Sequence, residues 1–162
     1  YSKSKTIILN EKINKENVDE IVFSNLGGKI IDFFSLDVDG NDYWILKSLN
    51  LERINVVCCE YNHWLGNNIR KTIPYNSENL YKNDGYFGAS LLAINDLLES
   101  RGFNLIAVDS AGTNAFFVKN KFSSYFEILS PIKSWRSVGR HETESHTKKI
   151  RQNIKNLEFV EF

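Results

Sequence analysis

An α/β fold, with a mostly parallel sheet that ends in an antiparallel hairpin, is predicted by three features of the sequence. Two continuous apolar runs of strand length, Ile31–Leu36 and 54–59, flank a segment whose Ile45, Leu46 and Leu49 recur at helical spacing. A strongly periodic stretch at 89–101 reads as a second helix, with Leu91, Ile94 and Leu98 on a wide apolar face and Gly102 at the C-cap. Two more apolar runs, 103–108 and 115–118, are separated by DSAGTN, a turn dense enough to close a hairpin.

The first run leads directly into Asp37, Asp39 and Gly40, and the helix follows from Asp42, which reads as its N-cap. Strand, helix, strand over 31–59 is a βαβ unit, which implies a parallel sheet covered on both faces. Before it, 6–9 is long enough only for a short edge strand. Residues 14–25 read as a helix capped by Asn14, with Val18, Ile21 and Val22 on one face and Gly27-Gly28 as its stop. That glycine pair precedes a strand and lacks the spacing of a dinucleotide fingerprint. After the second strand, residues 64–87 lack periodicity, and loops of that length are functional or mobile. Their aromatics, Tyr75, Tyr81, Tyr86 and Phe87, form either a lid over the strand ends or pins that hold the loop to the domain. The chain divides into a domain over 1–129 and a C-terminal arm over 130–162, which packs on that domain or on a neighbour. Within the arm, 143–156 reads as a surface helix.

The chain has 162 residues, 42% of them hydrophobic and 13% aromatic, enough for one buried core. Lys plus Arg and Asp plus Glu are 20 each, so no net charge draws the chain to nucleic acid or to an anionic membrane. No apolar stretch approaches the roughly 20 residues that span a bilayer. Cys58 and Cys59 are adjacent in an apolar run, which suits two buried, reduced thiols and a cytoplasmic setting. The sequence starts at Tyr1 and contains no Met, as an excised or processed piece would.

Ligands of open α/β sheets bind outside the carboxyl ends of the strands. Asp37 and Asp39 stand there, too close together to ionise comfortably without a cation or a hydrogen-bond donor. Glu60, Asn62 and His63 follow the adjacent strand. Glu60 and Asn62 complete an oxygen-rich set, and carboxylates with an amide oxygen are hard ligands that suit Mg²⁺. His63 has the pKa of a general base, so Asp37, Asp39 and His63 are the catalytic candidates. Asn62, Tyr75 and Tyr86 are the candidates for contact with a substrate. His141 and His146 are five residues apart and lack a third ligand nearby.

Six segments, NKENVDEIV, IDFFSLDVDGNDYWILKSL, VVCCEYN, IPYN, YFGASLLAINDLLESRGFNLIAV and NAFFVKN, resemble in order the later part of FkbM-type methyltransferases. The resemblance covers about 14–119. It implies a Rossmann-like class I methyltransferase core, S-adenosylmethionine as cofactor, and methyl transfer to a hydroxyl of a sugar, lipid or natural product. By that comparison Asp37, Asp39 and Gly40 match the acidic turn after the fourth strand, and 60–62 match the end of the fifth. A more distant similarity to catechol-type O-methyltransferases implies that Asp37, Glu60 and Asn62 hold Mg²⁺.

The family's glycine-rich first turn and acidic second strand end have no counterpart among the thirteen residues before Asn14. The resemblance therefore implies that the cofactor half is missing, through fragmentation, loss or supply by another polypeptide. A sheet cut at that point exposes a strand edge, so self-association or a separate N-terminal segment is expected. Other readings compete, among them an Asp-x-Asp sugar-nucleotide site of a glycosyltransferase at LDVDGN, which has no supporting second motif. The same stretch is similar to the opening motif of haloacid-dehalogenase-type phosphatases, although Asn41 replaces the expected Thr or Val and Asp109 stands alone where a paired-Asp motif belongs. The remaining alternative is a non-catalytic half-domain that serves as an interaction module.

Overall fold

The computed structural model describes residues 6–136 and 143–162. Its centre is a four-stranded sheet, β1 (Ile31–Leu36), β2 (Ile54–Glu60), β4 (Phe103–Val108) and β5 (Asn114–Lys119), ordered β1-β2-β5-β4. β1 and β2 pair in parallel with Leu36 beside Cys59, and β5 runs antiparallel to both β2 and β4. The protein is thus mixed α/β. Three of the four strands point the same way, but only one of the three pairings is parallel, so the expected mostly parallel sheet needs correction. The five residues between β4 and β5 allow only a hairpin, and its second strand enters between β2 and β4.

Helix α2 (Asp42–Ser48) crosses between β1 and β2, and α3 (Leu91–Ser100) precedes β4. Both helices pack on the same sheet face. Ile45, Leu46, Leu49, Leu91, Ile94 and Leu98 join Leu36, Val57, Cys59, Leu105, Ala115 and Phe117 in one buried cluster. Alternation along the strands puts Phe33, Ser35, Val56, Cys58 and Phe116 on the opposite face, and there Phe33 and Ser35 are exposed. Among the described residues the second face is covered only in part, with Cys58 buried and Phe33 and Ser35 exposed, so the coverage on both faces that the βαβ reading implied is incomplete there. α2 and α3 share one side, and among the described residues β1 pairs only with β2.

The first helix is shorter than its sequence pattern. α1 covers Val18–Phe23, while Asn14 accepts the Glu16 and Asn17 N–H groups and so organises the turn before it. Residues 6–9 form no strand. α1 ends at Phe23 with Ser24 as its C-cap, ahead of the expected glycine stop; Gly27 and Gly28 both adopt positive φ in the turn that leads into β1. Ser90 caps α3 by accepting the Ala93 N–H, and Gly102, at φ +80, closes its other end.

After β5 the chain makes a 3-10 turn (Asn120–Tyr125), the single-turn helix α4 (Pro131–Ser134) and helix α5 (Glu144–Ile154), which Thr143 caps. The last strand, β6 (Val160–Glu161), pairs with β3 (Lys71–Thr72), so the arm returns to its own domain and adds a small second sheet. No helix among the described residues is long and apolar enough to cross a membrane.

Candidate functional site

The carboxyl ends of β1 and β2 carry Asp37, Asp39 and Glu60. One ligand oxygen from each of these carboxylates lies within 4.8 Å of the others. The parallel register that sets Leu36 beside Cys59 brings together acids 23 positions apart in sequence.

The turn holding Asp37 and Asp39 is built from below by Asp42. Its carboxylate is fully buried and accepts the Val38 N–H at 3.1 Å and the Gly40 N–H at 3.0 Å. Asp42 is therefore not the helix cap. That position falls to Asn41, and the Asp42 side chain reaches backward to fix the loop. Asp39 sits at φ 51, a left-handed conformation that Asp tolerates better than most residues.

Burial and like charge act together here. Burial, followed by the charges of Asp37, Asp42 and Asp39, pushes Glu60 up to about 8. Its Oε2 is buried and accepts no hydrogen bond. Asp37 is raised by burial and by Asp39. Burial also raises Asp42, against the lowering pull of the Gly40 and Val38 N–H groups. A cluster in which one member keeps its proton near neutrality is poised to exchange that proton for a cation or for a substrate hydroxyl.

Asn62 lies next to this cluster but is engaged by its own loop. Its amide N–H₂ donates to the Gly85 and Phe87 carbonyls, both at 2.9 Å, and its Oδ1 accepts the Trp64 N–H at 3.0 Å. It fixes the returning end of the 64–88 loop. His63 is buried in the 3-10 turn His63–Leu65, its ring 4.8 Å from that of Trp64 and its carbonyl accepting the Trp135 indole N–H at 3.1 Å.

The loop crosses from one strand end to the other. The Trp44 indole donates to the Ile73 carbonyl at 2.9 Å, and Asn41 donates to the Asn76 carbonyl at 2.8 Å. Asn79 packs so closely on Gly40 that a Cβ there would collide with its amide. The hydroxyls of Tyr75 and Tyr86, the expected substrate contacts, are hydrogen-bonded within the chain. The Tyr75 hydroxyl donates to Glu16, and the Tyr86 hydroxyl donates to the Glu158 carbonyl. Tyr81 lies near enough to the acids for its hydroxyl to feel their charge. Its ring is 5.0 Å from that of Phe87, and burial, then the charges of Asp84, Glu60 and Asp39, raise its hydroxyl despite the Gly85 N–H. Position in the loop gave no signal that would rank Tyr81 above its neighbours.

Asp109 does not contribute to this site. Its carboxylate accepts from Thr113 N and Oγ1 and from Asn114 Nδ2, closing the β4–β5 hairpin. Burial alone would raise it, but those donors outweigh burial and leave it below its ordinary value. The phosphatase reading thereby loses its second acid. His141 lies outside the described residues, so the His141 and His146 pair is not described as a site.

Acids converging at the ends of parallel strands, beneath a long loop, define an α/β protein with a strand-end site. Residues 4–105 match the methyltransferase FkbM domain, and the chain belongs to that family. Comparison with curated proteins found no match, nor did comparison with solved structures.

Proposed function

We propose that the protein is an S-adenosylmethionine-dependent O-methyltransferase acting on a hydroxyl of a sugar, lipid or natural product. In this reading Asp37, Asp39 and Glu60 orient and deprotonate the acceptor. The convergence of the three carboxylates at the strand ends, in a chain of this family, carries the reading. S-adenosylmethionine, when bound, supplies the electrophilic methyl group. No glycine-rich turn follows a strand among the described residues, so no residue is assigned to holding the cofactor.

The donor set fits a hard divalent cation. Three carboxylates converge, one with a buried oxygen that accepts no hydrogen bond, and a cation of the Mg²⁺ type would relieve their mutual repulsion. Asp37, Asp39 and Glu60 would hold it, while Asn62 keeps the loop in place. Without a cation, burial and the neighbouring acids favour the protonated form of Glu60; a bound cation would favour its carboxylate, the form that can take a proton from the acceptor. Tyr81 closes the acceptor side. The two buried, reduced cysteines fit a cytoplasmic setting, and the unpaired edge of β1 fits self-association or a strand supplied from elsewhere.

Isothermal titration of the 162-residue chain with S-adenosylhomocysteine, with and without Mg²⁺, tests this reading. Saturable binding that Mg²⁺ strengthens, with Asp37→Ala abolishing that enhancement and leaving the metal-free affinity in place, is the expected result. A folded sample that binds neither would instead support a non-catalytic interaction module.

A further inference from the structure

The C-terminal arm lies beyond the segment that matches the family, yet it grips the loop over the carboxylates. Residues 85–87 are held from two sides. From the sheet side, Asn62 donates to the carbonyls of Gly85 and Phe87. From the outer side, α5 brings buried Ile150 against Gly85 so tightly that a Cβ there would overlap the Ile150 methyl and approach Trp64 Cε3 to 3.1 Å. Between them, the Tyr86 hydroxyl donates to the Glu158 carbonyl, and its ring meets Phe159 edge-on at 5.2 Å. β6 then pairs with β3, at the other end of the same loop.

What is gripped leads straight to the acids. Phe87 carries the Tyr81 ring, and Asn79 sits on Gly40 beside Asp39. Only three backbone positions separate Tyr81 from the point where Ile150 bears on the loop.

We propose that Ile150 and Tyr86 are positioning residues through which the arm seats residues 79–87 over Asp37, Asp39 and Glu60. This rests on reading those three acids as the site. Gly85 is the contact point because only a residue without a side chain admits α5 there. Loosening the arm frees the loop and wets Glu60, the half-buried one of the three, while Asp37 and Asp39 are exposed already and β1 and β2 keep their pairing.

Hydrogen exchange on the full chain, comparing the parent with Ile150→Ala, Tyr86→Phe and the double variant, tests the clamp. Amides of 79–87 are expected to exchange at least about fivefold faster in the double variant, with those of β1 and β2 unchanged. A merely structural arm would not move a second readout, the ring-to-ring NMR contact of Tyr81 with Phe87, at the acid end of the gripped segment. That contact should weaken in the double variant, while the conservative Ile150→Val should keep both the contact and the slow exchange. Unchanged exchange in the double variant, faster exchange of the whole chain together, or a loosened loop with an unmoved Tyr81–Phe87 contact would each overturn the proposal. None of these measurements uses methyl transfer. Failure of the clamp is therefore distinct from failure of the proposed activity, which the cofactor titration reads.

Discussion

Asp42 accepts the Gly40 N–H at 3.0 Å from a fully buried carboxylate, so the acidic turn is anchored by an acid that takes no part in it. Replacing Asp42 by Ala leaves the Val38 and Gly40 N–H groups buried without acceptors. The expected loss is about 2–4 kcal/mol in urea denaturation, with Asn recovering part of it.

Glu60 sets a pH dependence of known sign. Its folded-state pKa, about 8, lies above the unfolded value, 4.5. The folded chain therefore binds the proton more tightly between those limits, and stability falls as pH rises from about 4.5 to about 8. Glu60→Gln should flatten that part of the profile, gaining on the order of 1–3 kcal/mol over the parent at pH 8.5 and almost nothing at pH 4. Paired urea titrations at the two pH values check it.

Asp37→Asn and Asp39→Asn should each stabilise the metal-free chain slightly, by roughly 0.5–1 kcal/mol, because each removes one of several crowded negative charges. Asn also accepts the left-handed φ of residue 39. The same variants should weaken Mg²⁺ binding at least tenfold by calorimetry. A variant that lost both stability and Mg²⁺ affinity would mean that the charges are compensated in a way the geometry does not show.

Asn62→Ala strands two carbonyls and one N–H of the loop. It should lower thermal stability by about 2–4 kcal/mol and quicken proteolysis within 75–88 before any cut in the sheet. Limited digestion followed by mass spectrometry reads the order of cleavage.

Cys58 and Cys59 are buried, and burial raises both thiols. Ellman's reagent should label neither in the native chain and both in denaturant.

The parts of this fold that local pattern determines were legible. The runs 31–36 and 103–108 match β1 and β4, and the run 54–59 is β2 short of Glu60, the residue that bears the chemistry. Asp37 and Asp39 were evident because a strand end followed by a glycine turn is a local feature, and Glu60 followed from the βαβ register. What escaped depends on distant partners. The entry of β5 between β2 and β4 and the pairing of 71–72 with 160–161 are fixed by residues about 50 to 90 positions away, to which hydrophobic periodicity is blind. Asp42 misled for the opposite reason. Its placement suits a cap, but Asn41 takes that position, and the Asp42 side chain is drawn back to the turn it follows.

The open edge of β1 has a consequence at the bench. Among the described residues β1 pairs on one side only, so alternate residues of the strand turn backbone groups to a free edge beside Phe33, which is 54% exposed, and at pH 7 the formal charge is +0, so no net repulsion keeps copies apart. Light scattering by concentrated samples should therefore grow most steeply near neutrality and subside a unit or two to either side, and storage buffers are best chosen away from pH 7.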